Sequence, residues 1–543
     1  MNWVGPDVPA ASTPAPATSS RAFAPGSPER ASVAAAIAEV RSTNWDVPTI
    51  IGGLEVRTGR LHPIVEPHDQ HPELGRFHQA GPDEVLAAIA AARATHRGWS
   101  TLPFELRAEP FRRAADLLEF GPARDRLVAA AMVELSKTSA QAEGDVAEAV
   151  DFLRANLANA QAMMSVQPVC TPGVTNHLDY RPLEGFVLAV TPFNFVSMNN
   201  LALAPALLGN TVLWKPAESA SLVAHLTAEL LREAGLPDGV LNVLHGEGAE
   251  IGGVALPHRD LAGVAFTGST STFQHIWQTV GANITGYRNY PRVVGETGGK
   301  DFVLAHPSAD LEPLAVACVR AAYEYQGQKC AAASRLYVPR SLWPALRERL
   351  VNLIGTLRMG DPTVPGTYLG AVINARQFAK HEAALARAAE EGLVLAGGRT
   401  DDSTGWFVEP TLLEVIDPQS PFLTEELFAP VLAAYVYDDG AWDEVLSLVD
   451  GTSEYGLTGS VFATDERALA QADATLRYAA GNFYLNDKPS GAAVGQQPFG
   501  GARASGTNDK TGTVWHLSRF VSPRAVKRNH QPPRDLRSPD LEA

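Results

Sequence analysis

A chain of 543 residues with 60 acidic and 44 basic side chains carries a formal charge of −16. That balance argues against nucleic acid or an anionic membrane surface as the main partner, and the length calls for more than one core at about 100–200 residues per domain. Three cysteines, Cys170, Cys318 and Cys330, without a Cys-x-x-Cys pair, exclude a disulfide framework and a cysteine metal centre and fit a reducing, cytoplasmic setting.

Residues 1–30 are rich in Pro, Ala and Ser and lack both a secretory apolar core and an arginine-rich transit pattern, so they read as a mobile arm. A helical pattern opens at Pro82, with Val85, Leu86 and Ile89 on one stripe to about residue 99, followed by helices at about 104–119, 124–138 and 141–163. The stretch 166–180, broken by Pro168, Pro172 and Gly173, predicts a protruding hairpin or loop. Strands at 185–190, 211–214, 240–244 and 263–266 then alternate with helices at 198–208, 219–234, 247–256 and from about 269. That rhythm is the mark of a parallel sheet covered on both faces. It resumes after Lys300, with strands at 302–305 and 335–338 and helices at 309–324 and 341–357, so a second α/β domain is expected there. A β-prone stretch at about 514–524 precedes a Pro-rich tail from about 531. No apolar run nears the roughly 20 residues of a bilayer crossing.

Chemistry concentrates in a few segments. Cys330 ends Gly327-Gln328-Lys329-Cys330, and Glu296 opens Glu296-Thr297-Gly298-Gly299-Lys300. A thiol and a carboxylate, each beside glycines that let a flat ligand approach the backbone, are what oxidising an aldehyde through a thioester requires. Cys170 and Cys318 read as space-filling thiols, whereas the cation of Lys329 is expected to lower the pKa of Cys330. Asn194, in Thr191-Pro192-Phe193-Asn194-Phe195, follows a strand, where its amide either donates to a developing alkoxide or caps a helix. Lys215 and Glu218 stand at a strand's carboxyl end, where they either grip ribose hydroxyls or form a solvated charge pair. A carboxylate there favours NAD over NADP. Gly268 and Ser269 lie between a strand and a helix and suit a pyrophosphate, although Ser269 is equally an ordinary N-cap. The run Gly246-Glu247-Gly248-Ala249-Glu250-Ile251-Gly252 misses the dinucleotide spacing at Ile251.

Taken in order, these segments resemble the aldehyde dehydrogenase superfamily over about 45–525, with Glu425-Glu426-Leu427-Phe428-Ala429-Pro430 as a sixth matching motif. Within it the likeness is greatest to the 1-pyrroline-5-carboxylate dehydrogenase family, through the run from Gly495 to Lys510, through Asn486-Asp487-Lys488-Pro489 and through the segment from Gly295 to Phe302. The resemblance implies an α/β, aldehyde dehydrogenase-like fold: two Rossmann-like domains plus a small β oligomerisation element. The NAD-binding domain is expected over 31–298, interrupted by an oligomerisation hairpin at about 166–182. The catalytic domain is expected over 299–495, and an anchor loop with a C-terminal oligomerisation strand over 496–530.

The resemblance also implies roles. Cys330 is the nucleophile, Glu296 the base and Asn194 the oxyanion donor. Thr191, Lys215, Glu218, Gly268, Ser269, Glu426 and Phe428 would bind NAD, with no metal. Glu148, Phe195, Lys329, Gly512, Thr513 and Phe520 would hold the substrate. That substrate is L-glutamate γ-semialdehyde, the open form of 1-pyrroline-5-carboxylate, oxidised to L-glutamate in the second step of proline catabolism. Ala331 departs from the serine common after the nucleophile, a loss of about 0.5–1.5 kcal/mol of hydrogen bonding. It keeps open a rival substrate, another acidic semialdehyde such as succinate semialdehyde. A catalytically silent scaffold is the rival of a different class. Unpaired edges at the hairpin and the C-terminal stretch imply a homodimer or larger assembly, and proline dehydrogenase is a candidate partner, though not a fused one.

Overall fold

The computed structural model describes residues 18, 20–534 and 536. Two seven-stranded sheets dominate it. In the first, the order is Arg292–Glu296, Leu261–Thr267, Phe186–Thr191, Thr211–Pro216, Leu241–Val243, Thr49–Ile51, Leu54–Val56, the first five parallel and the last two antiparallel. Leu261–Thr267 and Thr211–Pro216 are buried at every residue. Strands of this kind need helices on both faces. One of these is Pro82–Ser100, started by Pro82 and by the Glu84 carboxylate, which accepts the Gly81 N–H at 2.8 Å, and buried along Val85, Ala88, Ile89 and Ala92.

The second sheet runs Val394–Ala396, Thr411–Val415, Val431–Tyr437, Ala333–Pro339, Asp301–Ala305, Thr458–Phe462, Asn482–Leu485, all parallel except the first. Both layers follow the alternation seen in the sequence. Successive strands of the first sheet move outward from Phe186–Thr191, and the chain then returns to its other side with Leu261–Thr267. The crevice at such a reversal, at the strands' carboxyl ends, is where open α/β sheets bind ligands.

Three expectations change. The stretch 166–180 is not a self-contained hairpin: Val174–Pro182 pairs antiparallel with Val521–Asn529 along its whole length. Residues before it fold back through side chains instead, Gln167 accepting the Leu178 N–H and Tyr180 donating to the Val166 carbonyl. The β-prone 514–524 is divided, since Val514–Ser518 is a helix that buries His516 and Leu517 and packs on the long helix Ser139–Ser165, and only Val521 onward is strand. Burial against a neighbour overrides local strand preference there. The N-terminal arm, where described, is tied down. Ser27 caps helix Pro28–Ser42, Arg21 forms an ion pair with the fully buried Glu143, and the Thr18 N–H donates to Asp151. The remainder of the arm and most of the 531–543 tail lie outside the described residues. Among the described residues no helix is long and apolar enough to cross a membrane.

Candidate active site

The carboxyl ends of the first sheet face the amino ends of the second across one crevice. Thr191 and Thr267 end first-sheet strands, and Glu296 ends its edge strand Arg292–Glu296. Cys330 precedes Ala333–Pro339, Asp301 opens its strand, and Phe428 precedes Val431–Tyr437.

The loop that carries Cys330 is built against its local preferences. After helix Leu311–Tyr323 the chain turns through Tyr325 and Gln326 at φ 54° and 57°, a left-handed conformation that non-glycine residues rarely adopt. Gly327 continues the turn at φ 66°, where a Cβ would overlap the Ala429 carbonyl. Side chains hold this shape. Gln326 Nε2 donates to the carbonyls of Ser136 at 3.1 Å and Ala371 at 2.8 Å, and Gln328 Oε1 accepts the Ile373 N–H at 2.9 Å. The buried Asn194 donates one amide N–H to the Gln328 carbonyl at 3.1 Å, two residues from Cys330. That bond fixes the amide beside the thiol and leaves its second N–H for another acceptor.

Glycines 298 and 299 form a slot. A Cβ at Gly298 would overlap the Glu426 carboxylate, and one at Gly299 the Cys330 carbonyl and the Asp301 carboxyl. The Gly299 N–H donates to Glu426 at 3.0 Å, and Lys380 donates to the Glu426 carbonyl at 2.9 Å. Glu296 is 7% exposed, and Oε2 accepts the Gly501 N–H at 3.1 Å.

Burial sets the electrostatics. Glu296 is held well above the ordinary carboxylate range by burial, against the Gly501 hydrogen bond and the Lys510 charge. Asp301 is pushed up to about 8 in the same way. Cys330 does not follow the expectation from its lysine neighbour: burial raises its thiol, and the carboxyls of Asp301, Glu296 and Glu426 raise it further, opposed by the Ala331 N–H. Lys329 gives no relief, because its ammonium turns to Glu324 at 3.0 Å.

The model of the aldehyde dehydrogenase family matches residues 56–526. The chain belongs to that family. It is 45% identical over 526 residues to the mitochondrial delta-1-pyrroline-5-carboxylate dehydrogenase of Bos taurus, covering 96% of this chain and 93% of that one. The human mitochondrial counterpart is 45% identical over 516 residues, covering 94% and 92%. The crystal structure of the delta-pyrroline-5-carboxylate dehydrogenase from Mycobacterium tuberculosis bound with NAD is similar at a TM-score of 0.93 and 45% identity, covering 100% of each chain.

In this aldehyde dehydrogenase the remaining expected cofactor residues line the first sheet's edge. Thr191 is buried, its hydroxyl accepting from Trp214 at 2.9 Å and its carbonyl from the Ala217 N–H at 3.0 Å. Lys215 is nearly buried, and that burial lowers its pKa against the charges of Glu218 and Glu247. Ser269 is the N-cap of helix Thr270–Ala282, accepting the Thr272 N–H, so the capping alternative holds for its side chain. The position still fits a dinucleotide. The hydroxyl of Thr267 just before it is buried without a partner, and Gly268 presents only backbone at the helix start. Phe428, at φ 60°, packs edge-on against Phe193 at 6.1 Å, joining the two sheets' edges.

The expected substrate residues divide. Glu148 accepts from Ser197 at 2.8 Å and is raised to about 7 by burial and by Asp145. Phe195 is half-buried beside Asn194. Gly512 at φ 81° faces Phe152 and Val494, and the Thr513 hydroxyl donates to the Lys510 carbonyl. Phe520 is a correction: it is fully buried in the first domain's core, edge-on to His516, and has no face left for a substrate. The sequence reading missed Lys488, whose charge acts on Glu324 alongside that of Lys329. It also missed Glu324 itself and the Lys137–Asp145 pair. The Asn486–Pro489 motif was the available signal for Lys488; nothing local marked the others.

Proposed function

We propose that this aldehyde dehydrogenase oxidises L-glutamate γ-semialdehyde, formed by opening of 1-pyrroline-5-carboxylate, to L-glutamate with NAD as acceptor, as the second step of proline catabolism. The observation that carries the reading is the meeting of a thiol, Cys330, an amide held at 3.1 Å from the Gln328 carbonyl, Asn194, and a high-pKa carboxyl, Glu296, between two sheet edges. The printed names of its relatives supply the aldehyde. Glu148 suits the substrate's ammonium, and Lys329, held by Glu324, suits its carboxylate.

Cys330 loses its proton to solvent water, and its sulfur attacks the aldehyde carbon. The second Asn194 N–H and the Cys330 N–H donate to the oxyanion. Thr191, Lys215, Glu218, Gly268, Ser269, Glu426 and Phe428 would hold NAD, which supplies a hydride acceptor when bound. The substrate carbon is left as a thioester on Cys330. Glu296 then takes a proton from water, the water attacks the thioester, and the thiol leaves with L-glutamate released.

Incubation with 1-pyrroline-5-carboxylate and NAD should yield NADH and glutamate, with kcat/KM well above that for succinate semialdehyde. The reverse order would favour the rival substrate that Ala331 keeps open, and NADH from neither would leave a silent scaffold. The exposed outer edges of the Val174–Pro182 and Val521–Asn529 ribbon support a homodimer or larger assembly, which sedimentation as a monomer would refute. The free state of Cys170, Cys318 and Cys330 suits a reducing, cytoplasmic compartment. Proline dehydrogenase, the source of the substrate, is the partner to test by co-sedimentation.

A further inference from the structure

Behind the crevice lies a buried ion pair that the mechanism does not use. Lys137 Nζ sits 2.5 Å from Asp145, with both side chains at most 2% exposed. The same ammonium lies 4.6 Å from the ring centroid of Phe195 and 4.6 Å from that of Tyr325. The two rings belong to different loops. Phe195 follows the amide residue Asn194; Tyr325 begins the left-handed turn that leads to Cys330. Asp145 completes the link, since its carboxylate accepts the N–H groups of Val196 at 2.7 Å and Ser197 at 3.0 Å.

An ammonium is costly to bury unless its charge is answered. Here it is answered by one carboxylate and two aromatic faces, an arrangement with little freedom to shift. Pulling either loop away removes a cation–π contact that no water replaces. Tyr325 and Gln326 stay in an unfavourable backbone region only because surrounding contacts over-determine them. Gln326 is held by its two carbonyl acceptors, Tyr325 by this cation.

We propose that Lys137 is a positioning residue that clamps the Asn194 loop to the Cys330 loop and so sets the spacing of the amide and the sulfur. The inference rests on the reading that Asn194 and Cys330 carry the chemistry. Lys137 touches no reacting atom. Its effect is on the geometry in which the oxyanion meets both donors, and small misplacements there are expensive in rate.

The test is a double-mutant cycle on the acylation step, read as the pre-steady-state NADH burst with 1-pyrroline-5-carboxylate, using K137M, N194A and the pair. Alone, K137M is expected to slow the burst by about 10- to 100-fold, with NAD affinity within about twofold, since the contacts of Lys137 with Asp145, Phe195 and Tyr325 include none of the residues that would hold NAD. K137R, which keeps a cation over both rings, should recover part of the rate. The decisive result is non-additivity: N194A costs much in the native chain but little in K137M, because the amide is already out of register. Full additivity, or an unchanged burst in K137M, overturns the clamp. If N194A leaves the native burst unchanged, the reading of Asn194 fails instead, which separates the two outcomes. Should K137M not accumulate as folded protein, Y325L removes one ring, leaves the ion pair intact and carries the same cycle, with the same result deciding it.

Discussion

The two edges that meet at the crevice are made differently. Along the first sheet, regular elements do most of the placing: strands end, a helix begins, and Thr191, Lys215 and Gly268 stand where that geometry puts them. Along the second, long-range side-chain ties do the positioning. Gln326, Gln328, Glu426 and Lys137 reach over tens to hundreds of residues to hold loops that local preference would not form. A binding edge made from regular elements tolerates change. A chemical edge made from strained loops needs every tie.

Substitutions at each edge should therefore fail in different ways. The largest effect is expected for C330A, which should remove turnover by more than about 10³-fold while NAD binding persists; titration of NAD by fluorescence and an assay for NADH measure the two separately. Next comes E296Q, expected to slow thioester hydrolysis by about 10²-fold or more and leave a burst of NADH without steady turnover. Glu296 must be ionised to act, and its pKa is raised, so native hydrolysis should increase with pH through a midpoint well above the usual carboxylate range and E296Q should lose that rise. A native profile flat above the ordinary glutamate range would sink that assignment. G298A should cost about 10²-fold in kcat/KM, because its methyl displaces the Glu426 carboxylate. The smallest effect belongs to the first edge: K215A should raise KM for NAD about tenfold with kcat nearly unchanged. A large fall in kcat for K215A would erase the distinction between the edges.

The same contrast explains what could be read in advance. Most helices and strands from 82 to 357 follow periodicity and punctuation, and the structure places them within a few residues of expectation, but the edge strand Arg292–Glu296 was not foreseen. Cys330, Glu296 and Asn194 could be singled out because glycines and strand ends frame them. The raised thiol of Cys330 was not, since three of its four strongest influences, Asp301, Glu296 and Glu426, come from other segments besides the burial itself. Lys329 misled for a related reason: adjacency in sequence says nothing about which way a side chain turns. The helix Val514–Ser518 was misjudged because its packing partner, helix Ser139–Ser165, lies hundreds of residues away, and Phe520 because the core that buries it is drawn from equally distant segments. Arg21 looked like part of a free arm until Glu143 supplied a buried acceptor.

Sequence alone determined the two α/β layers, the order of the motifs and the reaction class, because strand and helix periods, glycine turns and a thiol with a carboxylate are properties of short segments. Tertiary structure decided how those segments meet: which loops are strained into place, which charges face Cys330 and which ribbon pairs with the C-terminal strand. Those outcomes depend on burial and on contacts between residues far apart in the chain, where the loss of solvent makes each charge and hydrogen bond answer to its neighbours in space.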